Sequence, residues 1–397
     1  MLGGGMVAGY AAKEFAERGL KPGELAIVSA DTGAPYERPP LSQGFLAGHD
    51  SEEQIRINPE EFYHQHGIEL KLGRAVARID PGRRLLALKS GSEWGFEKLI
   101  IATGARVRTV ATGRRELDGV HYLRSLEDSR RIRARAEGAR QAVIVGSGFI
   151  GMEAASVLAR KGIEVTMVVR DSRVWEKVFT PAMSHSFEQY FSARGVRFVK
   201  QTGVRDVHSK SDAKIVILDS GQELQCDLVV VGIGVVPETG VLLDSGIELD
   251  DGVVVDPSLE TNIPGIYAAG DVANYEDVLF GKRRRVEHWD NAVEQGRHCA
   301  RALLGDRQMF RHVPYFFSDV FDLSYELWGD MSGAHEVVER GDLASSSFSV
   351  WWLREHKLVA AFTMNRPDEE REAAPRMIES RTTLTAADVR AGRWPAS

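Results

Sequence analysis

At 397 residues the chain is long enough for two or three domains, and 43% apolar with 27% charged residues is a globular composition rather than a disordered or fibrous one. A net charge of -7 argues against general affinity for nucleic-acid phosphates, and no apolar run approaches the roughly 18 to 20 residues that cross a bilayer, so neither nucleic acid nor membrane is expected as a partner. The two cysteines, Cys226 and Cys299, are far apart and offer neither a CxxC pair nor a metal-ligand spacing, which fits a reducing, cytoplasmic setting and argues against a dithiol redox centre.

The chain opens MLGGGMVAGYAAKEF. Gly3, Gly5 and Ala8 have the spacing of a glycine-rich phosphate loop, residues 11–18 (AAKEFAER) keep apolar side chains on one helical face, Gly19 marks a stop, and ELAIVSAD reads as a short buried strand. Residues 99–105, LIIATGA, read as a buried strand ending in the small-residue turn Ala102, Thr103, Gly104. The arginines of residues 130–140, RRIRARAEGAR, read as the exposed face of a helix.

The order of the first unit returns at QAVIVGSGFIGMEAASVLARKGIEVTMVVRD. A strand is expected over 142–145, then Gly146, Gly148 and Gly151, a helix opening at Phe149 and Ile150, and a strand over 165–169. The chemistry needs each glycine: Gly146 for the tight turn, Gly148 so that backbone can approach a pyrophosphate, and Gly151 so that the helix lies close to the strand and its N-terminus faces the anion. At the end of the second strand, Arg170 and Arg173 could grip the 2′-phosphate of NADPH, whereas Asp171 is the residue type that binds the ribose of NADH; the arginine pair favours NADPH, and both coenzymes stay open.

Further on, LVVVGIG repeats the strand and turn with Gly232 and Gly234, and TNIPGIYAAGDVA ends in Gly270 and Asp271, where a carboxylate at a strand end can accept from ligand hydroxyls. Two dinucleotide units in one chain imply two nucleotides. Lys282, Arg283, Arg284 and Arg285 in GKRRRVEH could steer an anionic partner, although a solvated loop carries such a run equally well. From about residue 310, SSFSVWWL and KLVAAFTM suggest strands of a smaller α+β domain.

The ordered set formed by the first glycine loop, PYERPPLS, ATG, the second glycine loop and GIYAAGD resembles the two-dinucleotide flavoprotein reductases. GELAIVSADTGAPYERPPLS, RRVEHWD and VPYFFSDVFDLSYELWGD look most like monodehydroascorbate reductase, with ferredoxin reductases and apoptosis-inducing factor as relatives. The resemblance implies an α/β chain with two Rossmann-like three-layer dinucleotide-binding domains and a small C-terminal α+β domain: an FAD domain at 1–112 and 229–309, an NAD(P)H domain at 113–228, and the C-terminal domain at 310–397. It places Gly3, Gly5 and Ala8 at the FAD pyrophosphate, Asp31 on the adenosine ribose, Arg38 near the pyrophosphate, Asp271 on the ribityl chain, and Glu287, His288 and Trp289 by the isoalloxazine. Glu153 falls where relatives place a carboxylate near nicotinamide and flavin, and Trp328 where plant reductases carry a tyrosine near the flavin.

The implied activity is hydride transfer from NAD(P)H to FAD, then electrons to a small radical such as monodehydroascorbate, a quinone, or an acidic iron–sulfur protein of the ferredoxin type. Proximity of the two rings is the main catalytic device. The other function class is a redox-responsive scaffold like apoptosis-inducing factor, with little turnover. Three departures from the family pattern bear on this. Gln43 replaces the lysine of PLSK, a cation that could pair with Glu153, and Val293 stands where plant enzymes carry a substrate-contacting arginine. Only Met1 and Leu2 precede the first glycines, so a shortened first strand that weakens flavin retention is expected.

Overall fold

The computed structural model describes residues 1–110, 119–210 and 213–394. The chain divides into two compact units, one formed by 1–37, 52–106 and 236–316, the other by 38–51, 107–235 and 317–397. The domain boundary expected at 112–113 lies outside the described residues.

In the first unit, the helix Met6–Glu17 follows the glycines directly and the strand Ala26–Val28 follows the helix. Ala26–Val28 pairs in parallel with Glu69–Lys71, and Leu99–Ile101 pairs in parallel with Ile266–Ala268. Leu2 joins the two pairs by parallel bridges to Val28 and Ile101, so it fills the central position of a parallel row. Val28 N–H donates to Met1 O at 2.9 Å, and Ala102 N–H donates to Leu2 O at 2.7 Å. The strands read as continuous apolar runs because a parallel sheet is covered on both faces. The helix Trp289–Leu303 crosses Met6–Glu17 at Gly296, where an added Cβ would lie 2.8 Å from Val7 O.

The second unit is built on a five-stranded parallel sheet with strand order Arg197–Lys200, Glu164–Val169, Gln141–Val145, Leu228–Val231, Val120–Tyr122. Gln141–Val145 is central, and the helix Phe149–Arg160 starts four residues after it. Leu228–Val231 pairs along its whole length with Ala142–Val145, so the second nucleotide fold runs past residue 228. The helix Leu126–Ala136 presents Arg130 and Arg131 to solvent, where both pair with Glu127, and Ser125 caps its start. The remaining strands include Ser347–Arg354 and Lys357–Met364, paired antiparallel within a five-stranded sheet that carries the helices Asp368–Ser380 and Ala386–Ala391 in sequence after it. No helix among the described residues is long and apolar enough to cross a membrane.

Candidate functional sites of the two units

The first glycine loop owes its shape to Gly3, a position that no side chain can occupy. Gly3 has φ +117°, and an added Cβ would lie 2.1 Å from Ala102 O, so strand-end backbone already fills that space. Gly5 is the N-cap of Met6–Glu17 and offers no side chain to cap it. Ala8 is fully buried. The first-turn N–H groups are thus left for an external acceptor, which is what an anion-binding helix start requires. By contrast, Thr180 caps the helix Pro181–Ser192 with its own side chain.

Asp31 lies at the next strand end, half-buried. Its carboxylate accepts from Tyr36 Oη at 2.7 Å and from Gly33 N–H at 3.2 Å. Thr103 Oγ1 donates to Glu238 O at 2.7 Å, and Gly104, at φ +69°, accepts from Glu238 N–H at 2.9 Å. Those two residues tie the strand-end turn that holds Ala102 against Gly3.

Gly270, at φ +77°, donates its N–H to Gln295 Oε1 at 2.8 Å. The next residue is Asp271, whose carbonyl accepts from Arg285 Nη1 at 2.9 Å. Glu287 is exposed and pairs with Arg285 at 2.5 Å. His288 is the N-cap of Trp289–Leu303; burial pushes its imidazole down to about 4, so the ring is neutral at physiological pH. Of the twelve buried side-chain polar atoms without a hydrogen-bond partner among the described residues, three lie here: His288 Nδ1, Asn291 Oδ1 and Gln295 Nε2. Residues 288, 291 and 295 recur at helical spacing, so these atoms share one face. An orphaned buried polar atom costs about 1–3 kcal/mol, and three in a row beside Gly270 fit a polar ligand that supplies the missing partners. Sequence reasoning passed over Asn291 and Gln295, although DNAVEQ carries them at that spacing.

It also passed over Glu37, one residue before Arg38. Glu37 accepts from Tyr10 Oη at 2.6 Å through Oε1 and from Trp289 Nε1 at 2.5 Å through Oε2. The Tyr10 and Trp289 rings meet edge to face, 6.2 Å between centroids. Glu37→Ala is expected to destabilise the first unit by about 1–3 kcal/mol and to shift the Trp289 emission, while Glu37→Gln retains most of the stability, because its amide can both accept from the indole and donate to the phenol oxygen. Thermal melts and fluorescence spectra of the two variants check this.

The basic run is not a free cationic patch. Arg283 pairs with Glu276, Arg284 with Asp277, and Arg285 with Asp251 and Glu287. Val293 is 3% exposed, a core residue of its helix.

In the second unit, Gly146 has φ +105° and an added Cβ would lie 2.3 Å from Gly232 O. A Cβ on Gly151 would lie 2.4 Å from Gly146 O, whereas one on Gly148 would meet nothing within 4 Å. Two glycines therefore close the loop on itself, and the third leaves backbone open toward solvent. Gly148 caps Phe149–Arg160 without a side-chain bond, so this helix start too is unsatisfied from within. Phe149 packs 5.6 Å from Trp175, while Ile150 is 41% exposed and Ile233 is 37% exposed. Gly234, at φ +100°, accepts through its carbonyl from Arg108 N–H at 2.9 Å.

Glu153 lies one turn into the same helix and is 4% exposed. Its carboxylate accepts from Ser318 Oγ at 2.5 Å and Gln43 Nε2 at 3.0 Å through Oε1, and from Ser42 Oγ at 2.5 Å through Oε2. All three donors are neutral, and no cation pairs with it among the described residues. Burial pushes the carboxyl up to about 7; the three donors oppose the shift and the Asp319 carboxylate adds to it. Ser42 and Ser318 carried no sequence signal, being 111 and 165 residues from Glu153. The Arg38 guanidinium, also in this unit, donates to Arg124 O. Trp328 is buried in the strand Leu323–Gly329, opposite Ala361 of the neighbouring strand.

Comparison with known proteins agrees with this arrangement along nearly the whole chain. Residues 1–296 match the family model described as Pyridine nucleotide-disulphide oxidoreductase, and residues 315–393 match the one described as Reductase C-terminal. The peroxisomal Monodehydroascorbate reductase 4 of Arabidopsis thaliana is 36% identical, with 97% of this chain and 83% of that protein aligned. Monodehydroascorbate reductase of Solanum lycopersicum is 33% identical over 97% and 94% of the two chains. Among solved structures, a ferredoxin reductase from Rhodopseudomonas palustris superposes with a TM-score of 0.92 at 33% identity, covering 98% of this chain and 96% of its own. Putidaredoxin reductase, in its covalent complex with putidaredoxin, gives 0.91 at 29% identity over 96% and 93% of the two chains.

Proposed function

The chain belongs to the pyridine nucleotide-disulphide oxidoreductase family, and on that premise we propose that this FAD-dependent NAD(P)H oxidoreductase delivers its electrons to an iron–sulfur protein of the ferredoxin type. FAD and NAD(P)H are its redox pair, and the named relatives are enzymes, which favours turnover over the scaffold reading. A bound FAD would supply hydride acceptance from the nicotinamide and release of electrons one at a time.

The chain's own residues divide the remaining work. Gly3, Gly5 and Ala8 leave a helix start free for the FAD pyrophosphate, with Asp31 for the adenosine ribose and Asp271 for the ribityl hydroxyls. Ala102, Thr103 and Gly104 shape the turn behind the loop, and His288, Asn291 and Gln295 supply buried polar atoms to a ring that needs them. Arg38, Glu287 and Trp289 complete the FAD contacts, and Trp328 acts from the C-terminal sheet. Gly146, Gly148 and Gly151 with Phe149, Ile150, Gly232 and Gly234 hold the pyridine nucleotide, Arg170 and Asp171 stand at its adenosine end, and Glu153, held by Gln43, is the carboxyl of the reaction site. We assign these to an FAD domain at 1–112 and 232–309, an NAD(P)H domain at 113–231, its expected end at 228 moved three residues on because Leu228–Val231 pairs within its sheet, and a C-terminal domain at 310–397. The buried free cysteines suit a reducing, cytoplasmic setting.

The observation that carries the acceptor is Val293. A core valine offers no charge to an organic radical, which turns the choice toward a protein that brings its own contacts. Monodehydroascorbate is the second reading, favoured by the 36% identity to a plant enzyme of that name. Anaerobic NAD(P)H is expected to bleach the flavin band, and added ferredoxin to restore it at a rate that supports cytochrome c reduction. Faster reoxidation by enzymatically generated monodehydroascorbate or by a quinone than by any ferredoxin would overturn the assignment.

A further inference from the structure

We infer that Phe321, at the turn joining Tyr315–Val320 to Leu323–Gly329, is a positioning residue for Glu153: plugged into the second nucleotide fold, it keeps Ser318 on the carboxyl and water away from it. Its part in the reaction rests on the reading that Glu153 is the carboxyl of the reaction site.

The backbone marks the residue first. Phe321 and Asp322 alone connect the two strands, which are neighbours in the five-stranded sheet, and Phe321 has φ +53°. Two-residue hairpin turns fill such a position with Gly, Asn or Asp, so a phenylalanine there is strained. Strain of this kind persists where surrounding contacts over-determine the conformation.

Those contacts come from two helices. Phe321 N–H donates to Ser156 Oγ, and Phe321 O accepts from Arg160 Nη1 at 3.2 Å. Its ring meets Phe191 edge to face at 4.9 Å and Tyr190 at 6.1 Å, both in the helix Pro181–Ser192, and the Arg194 guanidinium lies over it at 5.5 Å. Asp322 accepts from Tyr190 Oη and pairs with Arg194 at 3.2 Å. The turn is therefore held by its backbone, its ring and its flanking side chain.

Glu153, Ser156 and Arg160 show what the hold achieves. Spaced by three and four residues, they line one face of Phe149–Arg160, so the strand that brings Phe321 to Ser156 and Arg160 brings Ser318, three residues earlier, to Glu153. Ser318 is fully buried, so its strand shields the carboxyl as well as donating to it. The other titratable groups acting on Glu153 are the exposed Asp319 carboxylate of the same strand and the buried Tyr325 phenol of Leu323–Gly329, while residues 39–47 bring it Ser42 and Gln43. Burial is the largest influence on the Glu153 proton, and the Ser318 bond opposes it. Loosening the turn and deleting the Ser318 hydroxyl therefore act in opposite directions.

The carboxyl C=O infrared band that Glu153→Gln abolishes is followed against pH in the flavin-loaded protein. In the native protein it should fade around pH 7. Ser318→Ala removes a donor to the carboxylate and should move that midpoint up by about one pH unit. Phe321→Ala frees the turn, admits water and should move it down by about one unit, and Ser156→Ala, which leaves every donor to Glu153 in place, should move it down by less. Phe321→Tyr keeps the ring and should titrate as the native protein does. Should Phe321→Ala fail to fold, Ser156→Ala carries the test. Melting temperatures that fall in Phe321→Ala and Ser156→Ala while their midpoints stay at the native value would reduce Phe321 to a packing residue and overturn the inference. The pH profile of anaerobic flavin bleaching by NADH and NADPH should track the infrared midpoint from variant to variant. Midpoints that move as expected while the bleaching profile stays fixed would remove Glu153 from the reaction site and leave the hold of Phe321 on the carboxyl standing.

Discussion

Gly3→Ala is expected to yield protein that is largely colourless, whereas Gly146→Ala is expected to yield yellow protein that no longer responds to NAD(P)H. The two changes add the same methyl group at corresponding loops, and both meet carbonyl backbone: Ala102 O at 2.1 Å in the first case and Gly232 O at 2.3 Å in the second. Each also forces an L-residue to a strongly positive φ, +117° and +105°. Strain of that kind costs about 1–3 kcal/mol before any clash is counted, and the colliding atoms belong to strand ends that cannot move alone. Each loop must therefore shift, and a shifted loop no longer presents its helix start to a pyrophosphate. Flavin content from the ratio of visible to ultraviolet absorbance, and flavin bleaching on anaerobic titration, read the two effects separately. Full flavin occupancy in Gly3→Ala, or normal bleaching in Gly146→Ala, would remove the roles assigned to these loops.

The second large effect concerns Glu153. Its folded-state pKa is raised from 4.5 to about 7, so between those values the folded protein holds a proton that the unfolded chain has released. Its contribution to stability is therefore fully present below pH 4.5 and is lost as pH rises through about 7. At about 1.4 kcal/mol per pH unit the loss amounts to about 3 kcal/mol. Glu153→Gln keeps the shape, and its amide can still meet all three partners, since the Ser42 hydroxyl can accept as well as donate. Relative to native protein, the variant should gain about 3 kcal/mol between pH 5 and pH 8, read from denaturant midpoints at each pH. Gln43→Lys should flatten the native pH dependence by another route, placing a cation where the carboxylate now meets only an amide. A stability difference that stays constant with pH would refute the buried, cation-free description of Glu153.

Both nucleotide folds were legible in the sequence because a parallel strand buried on two faces leaves a nearly unbroken apolar run. LIIATGA, QAVIVG, VTMVV and LVVVG all became strands at those places. The strand KLVAAFTM occupies residues 357–364 in both readings. The first helix was harder: it begins at Met6, five residues earlier than periodicity suggests, because the glycine-loop geometry rather than an apolar stripe starts it. What the sequence could not disclose were contacts made by folding alone. Ser42 and Ser318 reach Glu153 from distant segments, and Glu37 takes its two donors from Tyr10 and Trp289, 27 and 252 residues away. Arg173 shows the opposite limit. Its partners lie within six residues, yet spacing could not tell a guanidinium turned toward a ligand from one turned toward its own backbone.

The crossing of Met6–Glu17 and Trp289–Leu303 at Gly296 has a consequence for biogenesis. The glycine-loop helix packs, backbone against side-chain-free backbone, on one translated about 280 residues later. At roughly 5–20 residues per second the delay is on the order of tens of seconds. During that interval Met6, Val7 and Phe15 have no covering helix, whereas the sheet strands Gln141–Val145, Glu164–Val169 and Leu228–Val231 are already synthesised and able to pair. The nascent chain thus completes its second nucleotide fold before its first, and holdase chaperones should engage the helix Met6–Glu17 until the closing helix emerges.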